Sequence, residues 1–74
     1  MRMSNYSLRE EAISAFEVHV RTAYGGTVDA PRARISWVGE ISPGVVYVQW
    51  NNRQKPGGSD VFVYRRAAQQ PQAP

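Results

Sequence analysis

Apolar residues in the first third of the chain recur at the spacing of an α-helix, and they share one arc at 3.6 residues per turn: Leu8, Ala12, Ile13, Phe16, Val20, Ala23 and Tyr24. Ser7 stands three residues before Glu10, the spacing of a capping box, and Glu10 and Glu11 would lie in a first turn that favours acids. Gly25 and Gly26 supply a stop. The pattern therefore predicts a helix over residues 7–24.

A second interpretation applies to residues 16–22, FEVHVRT. Phe16, Val18 and Val20 alternate there with Glu17, His19 and Arg21, which is the pattern of a β-strand. A short helix over 7–15 followed by a strand would then replace the long helix. The stop and start signals at both ends favour the long helix.

Two alternating stretches follow the connector at residues 27–32. In the first, at 34–41, Ile35, Trp37, Gly39 and Ile41 share one side of a half-buried strand. A proline-containing turn at 42–44 leads to the second strand, VVYVQWN, at 45–51. A four-residue loop over 42–45 would place Ile41 opposite Val46 and Trp37 opposite Trp50.

A third strand is predicted at 60–66, DVFVYRR, and the Gln-, Pro- and Ala-rich segment at 67–74 is expected to be a flexible, disordered tail. The sequence thus predicts a single small α+β domain over 1–66, with one N-terminal helix packed on a three-stranded antiparallel β-meander in the order α-β-β-β. The helix is expected to cover one face of the sheet, because a bare apolar face would not stay in water.

The loop at 52–59 is longer than most hairpin loops. It carries Arg53, Lys55 and two adjacent glycines. It lacks the residue order and the following helix of a phosphate-binding loop. Two interpretations stay open: the loop belongs to a binding surface, or it is a mobile connector.

The pairing of the third strand is open as well. If Asn51 pairs with Asp60, then Tyr47, Phe62 and Tyr64 line the side of the sheet away from the helix, as in proteins that stack nucleic-acid bases on aromatic rings. A shift by one residue turns Phe62 and Tyr64 inward and removes this platform. Val48 and Trp50 face the core in either case.

Charge and cysteine content narrow the function classes. The net charge is +3, and residues 30–66 hold six basic and two acidic residues, so the basic character belongs to the second half. Such asymmetry is typical of a nucleic-acid or acidic-protein partner, but also of an ordinary solvated surface. The absence of cysteine and of long apolar runs fits a cytoplasmic protein, without a signal peptide or membrane span.

No catalytic, metal-binding or cofactor-binding constellation is visible. His19 is the single histidine, and without cysteine it has only carboxylates as potential partners. We expect His19 to be structural or solvent-facing at the edge of the helical arc. Glu10 and Glu11 diverge by about 100° on a helix and do not form a catalytic pair. The sequence predicts no enzyme and no cofactor.

The first functional hypothesis is a small non-enzymatic protein-binding module, because the chain is rich in arginine and aromatic residues. A small cysteine-free domain of this kind suits a phage or mobile-element inhibitor of a host system, of the anti-defence or anti-CRISPR type, acting in the host cytoplasm. The alternative is nucleic-acid binding through the basic aromatic sheet and the 52–59 loop. The third possibility is a weak homodimer formed through an exposed sheet edge. The candidate binding residues are Arg34, Tyr47, Arg53, Lys55, Tyr64, Arg65 and Arg66.

Overall fold

The computed structural model describes residues 5–66, with side chains from Ser7 onward. Helix α1 spans Asn5–Tyr24, and three strands follow, β1 at Ile35–Ser42, β2 at Val45–Asn51 and β3 at Ser59–Arg65. The strands form one antiparallel sheet in the order β1-β2-β3. This confirms the predicted α-β-β-β fold. The expected flexible tail at 67–74 lies outside the described residues.

The long-helix interpretation is confirmed, and the strand interpretation of 16–22 is wrong. Ala12, Phe16 and Val20 are fully buried at successive i, i+4 positions, and these contacts with the sheet outweigh the β-propensity of the valines. The helix ends at Tyr24, and Gly25 adopts the left-handed conformation with φ 60°, as the glycine stop predicted.

The start of the helix differs from the prediction. Helix α1 begins at Asn5, so Ser7 lies inside it and its first turn contains no acid. The capping-box assignment is therefore wrong. Both glutamates instead contact arginines from outside the helix: Glu10 pairs with Arg32 and Glu11 with Arg66. Tertiary ion pairs, rather than the helix dipole, occupy these carboxylates.

The core lies between α1 and one face of the sheet. Trp50 is the largest fully buried side chain, and its ring contacts Phe16 edge-on at a centroid distance of 5.1 Å. Val46 and Val48 are also fully buried, which confirms that Val48 and Trp50 face the helix. The other buried core residues are Leu8, Ala12, Val20 and Val28.

Strand β1 does not follow the predicted alternation. Its register with β2 shifts between Ile35 and Trp37 and again between Glu40 and Ser42, as β-bulges do. The first shift leaves Ile35 and Val38 packed against the core, and Trp37 turns outward to pair with Gln49. The expected pairing of Trp37 with Trp50 is wrong, because an extra residue in the strand reverses which side chains face the helix.

The β1–β2 turn is tighter than expected. Pro43 and Gly44 alone connect the strands, and Gly44 has φ 76°, which a residue with a Cβ rarely adopts. The predicted four-residue loop and the pairing of Ile41 with Val46 are wrong, since Glu40 pairs with Val46.

The register of β3 settles the question that the sequence left open. Trp50 pairs with Asp60 and Val48 with Phe62, so Phe62 and Tyr64 point toward α1. Both residues pack against the core. The platform that needed Phe62 and Tyr64 on the outer side does not form.

Candidate functional site: the open face of the sheet

The face of the sheet away from α1 carries a contiguous apolar surface. Of the six exposed large hydrophobic residues in the described chain, five lie on the strands and point to this side. We call this surface the open face and define it by Trp37, Ile41, Tyr47, Val61, Val63 and Arg65. The solvated face of an antiparallel sheet is ordinarily polar, so an apolar one indicates a contact surface.

Tyr47 lies on the central strand of the open face, and Trp37 lies on the edge strand β1. Tyr47 pairs with Gly39 on one side and Val63 on the other. The Trp37 ring lies over Gly39, in the space that a side chain at Gly39 would fill. Glycine at this position gives the indole a flat seat on the strand, as aromatic residues cover glycines in other sheets. The ring is nevertheless 49% exposed.

The charge of the open face is low. Arg65 is the one charged residue among the described strand residues whose side chains alternate onto this side. No acidic residue of the described strands points the same way. The surface therefore combines an apolar, aromatic centre with a cation at one end.

Two of the candidate binding residues lie on this surface, namely Tyr47 and Arg65. Arg53 is exposed in the loop between β2 and β3, in a groove that it shares with Thr27 and Val28. Lys55 lies in the same loop, but its Nζ is 3.0 Å from Asp60 Oδ1. Although burial pushes the pKa of Asp60 upward, hydrogen bonds from Lys55 and the Val61 amide hold it below its usual value.

The remaining candidates are engaged within the molecule. Arg34 lies 2.6 Å from Asp29, and this hydrogen bond lowers the pKa of the Asp29 carboxyl. Arg66 binds both oxygens of Glu11, at 3.1 and 2.6 Å, and Tyr64 donates its hydroxyl to the same carboxylate at 3.1 Å. These three residues thus join segments of the fold to each other.

The Glu11 cluster makes folding stability depend on pH. The hydrogen bond from Arg66 lowers the pKa of Glu11 below its usual 4.5. Since this pKa is lower in the folded than in the unfolded protein, the contribution of Glu11 is complete above pH 4.5 and is lost as the pH falls through the folded-state value.

We therefore expect Glu11→Gln to lose less unfolding free energy than the natural protein between pH 7 and pH 3. Urea titrations followed by circular dichroism at both pH values measure the difference. Glu10→Gln is the matched control, because Glu10 forms longer, more exposed contacts with Arg32. An acid loss in Glu11→Gln as large as that of the natural protein would contradict this role of the cluster.

The loop between β2 and β3 is anchored to the fold. Asn52 is buried, and its amide nitrogen donates to the Tyr24 hydroxyl at 2.9 Å. The Asn52 side-chain oxygen accepts from the Gln54 amide at 3.0 Å, and the Gln54 side chain donates to Thr27 at 2.7 Å. Gly57 and Gly58 both have positive φ and allow the chain to reverse direction before β3 begins. These bonds tie the loop to the end of α1.

Sequence reasoning missed most of the open face. Trp37 and Ile41 were assigned to the buried side of β1, and Val61 and Val63 were not among the candidates. The sequence shows only that these residues favour strands. Which side of the sheet they face depends on the two bulges of β1 and on the register of β3 with β2. Gly39, two residues after Trp37, was the one local signal, because a glycine within a strand often marks a bulge or a close approach.

The single histidine of the chain lies on the surface of helix α1. His19 is exposed, and its ring contacts that of Phe62 in a tilted arrangement at a centroid distance of 5.0 Å. No group of three His, Asp or Glu side chains in this range is placed to hold a metal ion. Helix α1, the longest of the described part, is not apolar enough to cross a membrane.

Comparisons with known proteins do not assign this chain to a family. No protein-family model matches the chain, and no curated protein or solved structure matches it significantly.

Proposed function

We propose that this protein is a small non-enzymatic protein-binding module and that the open face of the sheet is its contact surface. The observation that carries the proposal is the concentration of exposed apolar and aromatic residues on one flat side, away from the helix. Tryptophan, tyrosine and arginine are enriched among the residues that dominate binding energy in protein interfaces, and Trp37, Tyr47 and Arg65 all lie on this face.

The chemistry of the surface defines the partner. An apolar centre with Arg65 at one end and Arg53 in the loop between β2 and β3 fits an apolar protein surface that carries carboxylates at its rim. The anchored loop would extend the contact beyond the strands. Trp37 and Tyr47 would supply the buried centre.

Nucleic-acid binding is the alternative, supported by the two exposed aromatic rings and the two arginines. The ion pairs favour a protein instead. Four basic residues of the second half each lie within 3.5 Å of a carboxylate, which reduces the charge available to phosphates. These residues are Arg32, Arg34, Lys55 and Arg66.

More specifically, we propose that the protein is an inhibitor that covers its partner's surface in the cytoplasm. Anti-defence or anti-CRISPR products of phages and mobile elements would act in this way. The absence of cysteine from the sequence supports action in a reducing compartment such as the cytoplasm.

A quantitative pull-down from the source cells tests the proposal. We expect one stoichiometric partner protein, and we expect Tyr47→Lys to weaken its binding at least about thirtyfold, because a charge would be buried at the centre of the contact. Ser14→Lys is the matched control, since it adds the same charge on the exposed side of α1.

Equal recovery by Tyr47→Lys and the natural protein would contradict the proposed surface. Recovery of many proteins that disappears after nuclease treatment would support the nucleic-acid alternative.

A further inference from the structure

The backbone of β3 presents a free row of hydrogen-bonding groups. Beyond the two ends of the β2–β3 ladder, the Arg66 amide donates to Gly44 at 2.8 Å and the Asn52 amide to Gly58 at 2.9 Å. Since hydrogen-bonded pairs alternate along an antiparallel ladder, the even-numbered residues of β3 bond to β2. The N–H and C=O groups that point away from β2 therefore belong to Ser59, Val61, Val63 and Arg65. The Val61 amide already donates to Asp60 Oδ1 at 2.9 Å, so the free groups at the centre of the edge are the Val61 carbonyl and both groups of Val63 and Arg65.

The two edges of the sheet differ in their protection. Strand β1 is interrupted by bulges near both ends, between Ile35 and Trp37 and between Glu40 and Ser42. Bulges of this kind prevent another strand from adding to an edge. Strand β3 pairs with β2 over Ser59–Arg65 without a register shift, so it remains straight enough to accept a strand.

The sequence of β3 is complementary to itself. When two copies run antiparallel about Val63, Val63 faces its own equivalent, and Val61 faces Arg65 of the second copy. On the helix side, Asp60 then lies opposite Arg66 of the second copy. Each already forms an ion pair within its own chain, Asp60 with Lys55 and Arg66 with Glu11, and no like charges are directly opposed. Centring the pair on Arg65 would instead oppose two arginines.

We propose that two copies of this chain associate through β3, antiparallel about Val63, to form a continuous six-stranded sheet. The open faces of the two copies then join into one larger apolar surface that remains exposed. This association uses the edge of the sheet and does not depend on the function proposed for its open face.

Two lysine variants distinguish dimerisation through the β3 edge from association through the open face. Light scattering over a concentration series, up to roughly 1 mM, should show a monomer–dimer equilibrium for the natural protein. Val63→Lys places two lysines directly opposite each other at the edge and should raise the dissociation constant about tenfold. Tyr47→Lys, on the same face but in the central strand, should leave it unchanged.

A constant monomer mass for the natural protein would overturn the proposal. Dimerisation that is lost in Tyr47→Lys and kept in Val63→Lys would overturn it as well, because the open faces would then form the contact. Circular dichroism confirms that each variant is folded.

Single cysteines test the register, since the chain has none of its own. Under mild oxidation, Val63→Cys should cross-link to itself more than Val61→Cys or Arg65→Cys does alone. A mixture of Val61→Cys and Arg65→Cys should form the mixed dimer in preference to either self-linked one. Preferential cross-linking at any other pair of positions would contradict pairing about Val63.

Discussion

Trp50→Ala is expected to destabilise the protein by about 3–5 kcal/mol. The Trp50 side chain is 1% exposed and contacts the rings of Phe16 and Tyr24 at centroid distances of 5.1 and 5.9 Å. Removing it leaves a cavity at the centre of a single small core. A chain of this length has a total stability near the low end of about 5–15 kcal/mol, so much of the variant should be unfolded at room temperature.

The second tryptophan provides a matched control. Trp37→Ala removes the same side chain from the open face, where it is half exposed and its ring covers Gly39. We expect a loss of about 1 kcal/mol or less. Chemical denaturation followed by circular dichroism compares the two variants directly. Equal losses in both would contradict the placement of Trp50 in the core and Trp37 on the surface.

Asn52→Ala is expected to destabilise the protein by about 1–3 kcal/mol. Asn52 is the one polar residue among the fully buried side chains of the described chain. Its removal leaves the Gln54 backbone amide without its 3.0 Å acceptor and the Tyr24 hydroxyl without its donor. The loop would then lose its connection to the end of α1.

Its neighbour Asn51 is exposed and serves as the control. Asn51→Ala should change the unfolding free energy by about 0.5 kcal/mol or less. Hydrogen exchange provides a second readout: in Asn52→Ala, the amides of Lys55 and Gly58, which bond across the loop, should exchange faster. Unchanged stability and unchanged exchange would contradict the anchoring role of Asn52.

The elements that could be predicted from the sequence are those with strong local patterns. The helical arc through Phe16 and Val20 and the alternation in β2 each bury several large side chains, so both could be assigned from spacing alone. The start of α1 could not, because a capping-box spacing is also compatible with glutamates that form tertiary ion pairs.

The candidate site was less predictable because it depends on pairing between strands. One residue of slip in β3 exchanges Phe62 and Tyr64 for Val61 and Val63 on the open face. The bulge near Ser36 has the same effect on Trp37. Local sequence does not determine either feature, since each is selected by how the whole inner face packs under α1. Tyr47 was placed correctly because its strand is fixed by Val46, Val48 and Trp50.

The most direct test of the central claim, that the open face binds a protein, uses the two indole N–H signals of the chain in an NMR spectrum. Trp37 is half exposed on the open face, and Trp50 is buried on the other side of the sheet. On addition of the partner recovered by pull-down, the account predicts a large shift of the Trp37 indole signal together with the Tyr47 and Val63 amides, and little change at Trp50. Perturbations confined to the exposed side of α1, with the Trp37 signal unmoved, would contradict it.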